Sequence, residues 1–274
     1  MNTIVITLCV SFGIAFVLGI LLGFFKKVFH VPVDPTVEKI REVLPGGNCG
    51  ACGYPGCDGF AAAVARGEAP VDGCAAGGAA VAKAVAQLMG VSANAVNKVV
   101  VLACQGSKEH AQPRGIYSGV QSCRAAKIAV NGTKMCQYGC IGLGDCVSVC
   151  KFDALSMGED GLPHVDYEKC TGCGMCAKEC PQGLFHRFPA NQKGSFALCS
   201  NRSANKTVLL KQCKTACIKC AKCERLCPKQ AIVLKDNLPL VDYEKCDSCG
   251  ECVAGCPTKV LVLLENKISV KVQA

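Results

Sequence analysis

The fold is decided by a 20-residue repeat, which is LPHVDYEKCTGCGMCAKECP from Leu162 and LPLVDYEKCDSCGECVAGCP from Leu238. The two copies begin 76 residues apart and agree at 13 of the 20 positions. Each copy follows another cysteine group and a short apolar segment, so the duplicated unit is a whole supersecondary structure. The last half of the chain is therefore predicted to contain two similar modules, each with two cysteine groups.

Both copies contain the spacing C-x₂-C-x₂-C-x₃-C-P, which is typical of [4Fe-4S] clusters bound in pairs. Three thiolates of one loop bind one cluster, and the fourth cysteine ligates the other cluster of the pair. Structural zinc prefers two separated C-x₂-C pairs around one ion, so this spacing favours iron–sulfur over zinc. The pattern occurs three times, at Cys170, Cys173, Cys176 and Cys180, at Cys217, Cys220, Cys223 and Cys227, and at Cys246, Cys249, Cys252 and Cys256.

A fourth group has looser spacing, and Lys151 stands where the other groups have Pro. It precedes the first copy of the repeat, where the partner of that copy is expected. Because the fourth cysteine of each group crosses to the other cluster, four ligand sets are predicted. These sets are Cys136, Cys140 and Cys146 with Cys180; Cys170, Cys173 and Cys176 with Cys150; Cys217, Cys220 and Cys223 with Cys256; and Cys246, Cys249 and Cys252 with Cys227.

A fifth group lies nearer the N-terminus, in the Gly-rich stretch CGACGYPGC, and comprises Cys49, Cys52, Cys57 and Cys74. Its Pro-Gly turn lets the backbone wrap closely around a metal group. On spacing alone, iron–sulfur and zinc are both open here. The remaining cysteines are interpreted as buried structural thiols, with Cys213 as an alternative ligand and no positive support for redox pairs between them. They are Cys9, Cys104, Cys123, Cys199 and Cys213.

The N-terminus contains an uncharged apolar stretch from Ile4 to Phe25. Twenty-two helical residues span roughly 33 Å, enough to cross a bilayer, so a transmembrane anchor is predicted. Lys26 and Lys27 follow the stretch, which by the positive-inside rule places the rest of the chain in the cytoplasm. A cleaved signal peptide fits less well, because no basic segment precedes the run and no small-residue cleavage site follows it. A cytoplasmic location disfavours disulfides and favours metal binding by the cysteines.

The charge of the chain does not indicate nucleic-acid binding. The 274 residues include 30 Lys and Arg against 21 Asp and Glu, for a formal net charge of +9. Twenty thiolates around five [4Fe-4S]²⁺ cores would lower this charge to about −1. No basic run is interleaved with aromatic residues, and no Walker or dinucleotide-binding motif is present. No catalytic residues are predicted, so the expected chemistry is one-electron transfer.

Three motifs behind the apolar span together resemble the B subunit of the Rnf electron-transport complex. They are CGACGYPGCDGFA, CQYGCIGLGDCVSVCKFDAL and YEKCTGCGMCAKECP. The resemblance extends from the anchor to about Leu184, and the part from about Thr207 onward looks like an extended form of the family. The resemblance implies that Cys49, Cys52, Cys57 and Cys74 bind a [4Fe-4S] cluster, which makes five such clusters in total.

The resemblance also implies a role. The Rnf complex couples electron transfer between reduced ferredoxin and NAD⁺ to pumping of Na⁺ or H⁺. Its B subunit would carry electrons from soluble ferredoxin, docked on the C-terminal modules, to the other subunits at the bacterial cell (inner) membrane. The chain would be an electron carrier within an ion-translocating oxidoreductase, without substrate chemistry of its own. The alternative is a membrane-anchored polyferredoxin that serves another oxidoreductase, such as a hydrogenase.

The expected fold class is α+β: one N-terminal transmembrane helix, a small helical 4Fe-4S domain and two modules that resemble bacterial ferredoxins. The cores of these modules are small, so the clusters are expected to stabilise them. The predicted boundaries are 1–27 for the anchor, 32–91 for the 4Fe-4S domain, 92–130 for a connecting segment, 131–190 for the first module and 207–270 for the second.

Overall fold

The computed structural model describes residues 2–29, 34–93 and 96–264. The helices in these ranges are α1 (Asn2–Val28), α2 (Pro35–Val43), α3 (Gly56–Ala65), α4 (Gly78–Met89), α5 (Cys123–Val130), α6 (Asp145–Ser148), α7 (Met175–Glu179), α8 (Lys206–Gln212), α9 (Lys222–Leu226) and α10 (Glu251–Ala254). The strands are β1 (Lys98–Leu102), β2 (Leu155–Met157), β3 (Pro163–Val165), β4 (Phe185–Pro189), β5 (Gly194–Ala197), β6 (Ile232–Lys235), β7 (Leu238–Val241) and β8 (Leu261–Leu264).

Helix α1 contains the predicted membrane span. Residues Val5–Phe25 have a mean hydropathy of 2.7, and none of this segment is buried against the rest of the molecule. A helix of 21 such residues is long and apolar enough to cross a bilayer. Because an apolar helix exposed along its length is unfavourable in water, the structure supports a membrane anchor.

Helices α2, α3 and α4 form the small helical domain. Its core is built from large buried side chains, among them Ile40, Phe60 and Val85. Asp34 begins α2, because its carboxylate accepts a hydrogen bond from the Thr36 N–H at 2.8 Å. Gly90 ends α4 in the left-handed region, at φ 67°, which glycine adopts without strain. This domain confirms the predicted helical unit before the modules.

Residues 96–264 form four two-stranded antiparallel sheets. Two are hairpins, β2 with β3 and β6 with β7, and each hairpin lies between two cysteine groups. The others join strands that are distant in the chain, β1 with β4 and β5 with β8. Each module thus has an outer strand pair, a hairpin and two cysteine groups, which confirms the predicted α+β class with two ferredoxin-like modules.

The segments predicted to lie outside the modules take part in them. Residues 92–130, predicted as a connecting segment, contribute β1, whose Lys98 pairs with Pro189 and whose Leu102 pairs with Phe185. Residues 191–206, between the two predicted modules, contribute β5. The first and last strands of a module pair only after folding, so periodicity and cysteine spacing gave no signal for these boundaries.

A shared core joins the two modules. Strand β1 alternates in the usual way, so that Val100 packs into the first module while Val99 and Val101 face the opposite side. On that side they meet Phe196 of β5 and Val262 of β8. Because both outer sheets bury side chains in this core, the modules are held in a defined arrangement.

Candidate metal centres

Cys49, Cys52, Cys57 and Cys74 surround one pocket in the helical domain. The pocket is also lined by Phe60. Cys57 lies in the first turn of α3, and its N–H donates to Asn48 Oδ1 at 2.8 Å. Burial raises the pKa of the Cys74 thiol. All four predicted ligands of this group are therefore brought together.

The second module follows the crossover prediction. Cys217, Cys220, Cys223 and Cys256 line a pocket of about 340 Å³. Cys252 lies close enough to the rest of its predicted set to interact electrostatically with them, namely Cys227, Cys246 and Cys249. The fourth cysteine of each group thus lies with the first three of the other, as in paired clusters.

One site of the first module also matches the prediction. Cys173 interacts electrostatically with Cys150, and Cys176 interacts with Cys170 and Cys173. The loop that carries these residues lies directly against β1. Gly172, at φ 64°, has no room for a Cβ, which would collide with the Lys98 backbone. A glycine at this position therefore lets the cysteine loop approach the strand.

The other site of the first module differs from the prediction. Cys140, Cys146 and Cys180 line one pocket of about 370 Å³, but the fourth cysteine there is Cys123, not Cys136. The structure therefore groups Cys123, which the sequence analysis interprets as a structural thiol, with these three cysteines, and it places Cys136 elsewhere. The physical reason lies in the loop itself. Leu143, three residues after Cys140 and three before Cys146, stands where the standard spacing has a cysteine, so the loop lacks one thiol. Helix α5 supplies it.

The N-terminus of α5 is anchored to the loop that it completes. The Asp145 carboxylate accepts hydrogen bonds from Ser122 Oγ at 2.9 Å and from the Arg124 N–H at 3.2 Å. Burial acts to raise the pKa of Asp145, but these bonds and one from the Cys123 N–H outweigh it, and the pKa is lowered. Asp145 immediately precedes Cys146, so a single carboxylate positions Cys123 beside the other thiols.

Cys136 lies in a separate pocket, together with three cysteines whose sequence context indicates structural thiols. The cysteines that line this pocket are Cys104, Cys136, Cys199 and Cys213. The sequence leaves Cys213 open as an alternative ligand, but it does not predict this common pocket. The spacing of the four cysteines in the chain is irregular, so no local pattern groups them.

The arrangement of the sulfurs fits iron–sulfur clusters better than single metal ions. Within the described ranges, no three or more His, Cys, Asp or Glu side chains converge closely enough to hold one ion. A tetrahedral zinc site would bring four sulfurs to about 2.3 Å from one centre. The cysteines instead surround open pockets, and backbone N–H groups approach sulfur, as from Ala231 to Cys227 Sγ at 3.2 Å. Such bonds are typical of cluster ligands.

Burial favours the protonated form of two of the thiols, those of Cys146 and Cys223. It raises the pKa of Cys146 to about 12 and that of Cys223 to about 11, so both are neutral near pH 7. Cluster ligands must be thiolates, so incorporation of a cluster releases protons. Because protonated buried thiols are poor nucleophiles, these cysteines are suited to binding a cluster rather than to reacting with substrates.

Two family descriptions match the regions that contain these sites. A family described as "Putative Fe-S cluster" matches residues 44–76, and a "4Fe-4S dicluster domain" matches residues 135–184 and 216–260. The first match covers the helical domain, and the other two cover the modules. Fold and cysteine groups together define a [4Fe-4S] electron-transfer protein with two dicluster modules.

Sequence comparison with curated proteins identifies the family within this class of electron-transfer proteins. The chain is 45% identical, over 86% of its length and 70% of the relative's, to the B subunit of the Na(+)-translocating ferredoxin:NAD(+) oxidoreductase complex of Acetobacterium woodii. It is 39% identical, over 89% and 92%, to the B subunit of the ion-translocating oxidoreductase complex of Methanosarcina acetivorans. It is 38% identical, over 90% and 87%, to the proton-translocating counterpart of Clostridium ljungdahlii. The chain belongs to the family of B subunits of ion-translocating oxidoreductase complexes, which confirms the resemblance seen in the motifs.

Proposed function

We propose that this chain carries electrons between soluble ferredoxin and the membrane subunits of an ion-translocating ferredoxin:NAD⁺ oxidoreductase. One-electron transfer is the chemistry that bound [4Fe-4S] clusters supply. The observation that carries the proposal is the succession of cysteine sites from the helical domain, next to α1 in the chain, through the first module to the second. Family membership favours this function over that of a polyferredoxin serving a hydrogenase.

The helical domain and the first module meet at their cysteine sites. Cys49 of the domain lies close enough to Cys173 of the module to interact with it electrostatically. Phe152, which follows the cysteine loop of the module, lines the pocket of the helical domain. Lys178 Nζ donates to the Ala51 carbonyl at 3.4 Å. These contacts bring one ligand set of each unit side by side, which favours electron transfer between them.

Within the first module the two sites share one apolar core. Cys146 and Cys176 are buried members of it, packed with Val100, Leu155 and Phe185. Apolar packing of this kind excludes water from the space between the two cysteine sets and lowers the local dielectric. The side chains therefore hold the two clusters of the pair in a dry, fixed arrangement.

The second module has a more exposed cysteine site than the first module or the helical domain, which favours entry of electrons at this site. Cys249 is exposed, whereas the other proposed ligands are buried or half-buried. We infer that soluble ferredoxin docks over this residue, where its own redox group would come nearest to a cluster of this chain. The basic pair Lys26 and Lys27 after the span supports a cytoplasmic position for the modules, where ferredoxin is available.

The repeat offers a matched pair of variants for a test. Lys245 precedes Cys246 and pairs with Asp242 at 3.4 Å, and Lys169 precedes Cys170 and pairs with Asp166 at 3.5 Å. Both side chains are about equally exposed, at 64% and 60%. The full chain is loaded with clusters anaerobically and mixed with reduced ferredoxin, and bleaching of its visible absorbance is followed in a stopped-flow instrument.

We expect reduced ferredoxin to bleach the wild-type chain rapidly. Lys245→Glu should slow this reaction several-fold at low salt, because it reverses a charge beside the proposed docking site. Lys169→Glu should leave the rate unchanged. No electron transfer from ferredoxin to the wild-type chain would contradict the proposed function. Equal slowing by both variants would contradict docking at the second module.

A further inference from the structure

The pocket formed by Cys104, Cys136, Cys199 and Cys213 belongs to neither dicluster module. Its cysteines come from four separate places: after β1, before the first cysteine loop, after β5 and at the end of α8. Three of the four lie outside the regions matched by the iron–sulfur families, which end at residue 76 or cover 135–184 and 216–260.

All four cysteines line this common space. A Cβ placed on Gly106 would lie 3.6 Å from Sγ of both Cys104 and Cys213. Cys104 in turn interacts electrostatically with Cys136 and with Cys199. None of the cysteines in the described residues forms a disulfide. Four cysteines that line one cavity supply the donor set that a [4Fe-4S] cluster requires.

Each of the four sulfurs also has a hydrogen-bond partner outside the set. Backbone N–H groups reach two of them, Cys140 N to Cys104 Sγ at 3.4 Å and Cys217 N to Cys199 Sγ at 3.5 Å. Asn201 Nδ2 donates to Cys136 Sγ at 3.3 Å. Cys213 Sγ lies 3.4 Å from Thr215 Oγ1. Donors directed at three of the sulfurs, those of Cys104, Cys136 and Cys199, stabilise thiolates, which is how the surroundings of cluster ligands tune a cluster.

Two buried lysines provide the matching charge. Lys134 is 9% exposed and its Nζ donates to the Gly106 carbonyl at 2.6 Å. Lys219 is 7% exposed and its Nζ donates to the Asn201 carbonyl at 2.7 Å. In the part of the chain that the structure describes, neither makes an ion pair with a carboxylate. A buried ammonium without a counter-charge is costly.

An anionic group in the pocket removes this cost. A [4Fe-4S]²⁺ core with four thiolates carries a net charge of about −2, which two lysines balance. Lys134 lines the pocket. Lys219 lines the neighbouring pocket of the second module and interacts electrostatically with Cys136 and Cys199. We propose that Cys104, Cys136, Cys199 and Cys213 bind a sixth [4Fe-4S] cluster, which connects the two dicluster modules electronically.

The position of the pocket supports the connecting role. Cys140 donates its N–H to Cys104 Sγ, while its own side chain lines the pocket of the first module beside Cys123. Cys217 donates its N–H to Cys199 Sγ, while its own side chain lines a pocket of the second module. A single residue on each side, Cys140 or Cys217, thus contacts the new site and also lines a pocket of the adjacent module.

Electron transfer through this site would consist of two successive one-electron steps. A reduced neighbouring cluster loses one electron and the sixth cluster gains it; the sixth cluster then returns to its oxidised form by reducing its other neighbour. No bond or proton is exchanged in these steps. The connecting role rests on the proposed function, with reduced ferredoxin as donor, whereas the metal site itself does not.

The metal site is tested by the composition of the full chain, loaded anaerobically in detergent. We expect about 24 iron and 24 sulfide per chain in the wild type and about 20 of each in the variant Cys104→Ser/Cys213→Ser. Cys9→Ser, which removes a thiol of α1, should keep the wild-type value. About 20 iron in the wild type would overturn the proposal, as would bound zinc in place of the last four iron. An iron content unaffected by the double substitution would also overturn it.

A second variant keeps the metal site testable if the double substitution disrupts the fold. If the double variant loses more than about four iron, Asn201→Leu is used, because it removes the bond to Cys136 and keeps all thiols. Loss of a donor to sulfur disfavours the reduced state, so one cluster should shift to a lower reduction potential in an EPR-monitored titration. The proposal is overturned if every cluster keeps its wild-type potential.

The connecting role has its own readout. In the double variant, ferredoxin should still reduce the clusters of the second module, while freeze-quench EPR shows delayed reduction of the first. Equally fast reduction of both modules would contradict the role as a connection. Failure of the proposed function would look different, since ferredoxin would then reduce neither module even in the wild-type chain.

Discussion

The two modules arise from one repeat, yet they complete their clusters differently. In the second module, all eight proposed ligands come from two regular C-x₂-C-x₂-C-x₃-C groups. In the first, Leu143 stands where the regular spacing has a cysteine, and Cys123 of α5 lines the same pocket. The comparison shows that a cluster site depends on where thiols lie in space. A regular loop supplies them locally, but a helix from another part of the chain can supply the missing one.

The modules also differ in their surroundings. The first is covered by the helical domain, through the contacts of Phe152 and Lys178. The second leaves Cys249 exposed. One module is therefore placed between other cysteine sites, and the other is open to an external partner. Duplication gave two similar units, and tertiary contacts gave them different positions along the proposed electron path.

Removal of iron is expected to have the largest effect. It compares how strongly the modules and the helical domain depend on metal for their folded structure. Cys146 and Cys176 in one module, and Cys217 and Cys252 in the other, are themselves core residues. Chelation of the iron should therefore abolish cooperative unfolding of both modules. Hydrogen exchange should show loss of amide protection in residues 131–264 and a smaller loss in α2–α4. Iron-free protein with protected module amides would contradict this.

Substitution of Cys123 directly tests whether the first module takes one of its cluster ligands from α5, unlike the second module. Cys123→Ser should lower the iron content by about four per chain, because the first module then lacks one ligand. Adding Leu143→Cys to this variant should restore the iron, since it recreates the regular spacing of the second module. The iron and sulfide contents of the purified chain measure both steps. Full iron content in Cys123→Ser alone would show that Cys123 is not a ligand.

The smallest expected effect concerns the residue that positions Cys123. Asp145→Ala removes the acceptor for Ser122 and Arg124, which should cost about 1–2 kcal/mol, or about a tenfold shift in the equilibrium that holds α5 in place. Iron should then be lost faster from one site in the presence of a chelator. Lys222→Ala is the matched control, because Lys222 precedes Cys223 in the second module as Asp145 precedes Cys146. Similar rates in both variants would rule out the positioning role.

Much of the site could be predicted because its signals are local. The regular groups and the crossover of the fourth cysteine in the second module follow from spacing alone, and the structure places Cys217, Cys220, Cys223 and Cys256 together. Cys123 was missed, although Leu143 at the middle position of its group was a visible sign that one ligand is absent. For Cys104, Cys199 and Cys213 the sequence carries no comparable sign.

The number of modules, the membrane-compatible helix and the cysteine-rich loops could be predicted from the sequence, because each has a pattern that can be recognised along the chain. Which thiols meet across the chain depends on tertiary contacts. Strand β1 pairs with β4, and β5 pairs with β8, over separations of dozens of residues. Those pairings bring Cys104 and Cys199, which follow β1 and β5, to the same pocket. Contacts of this kind depend on the packing of the shared core between the modules, which no local pattern encodes.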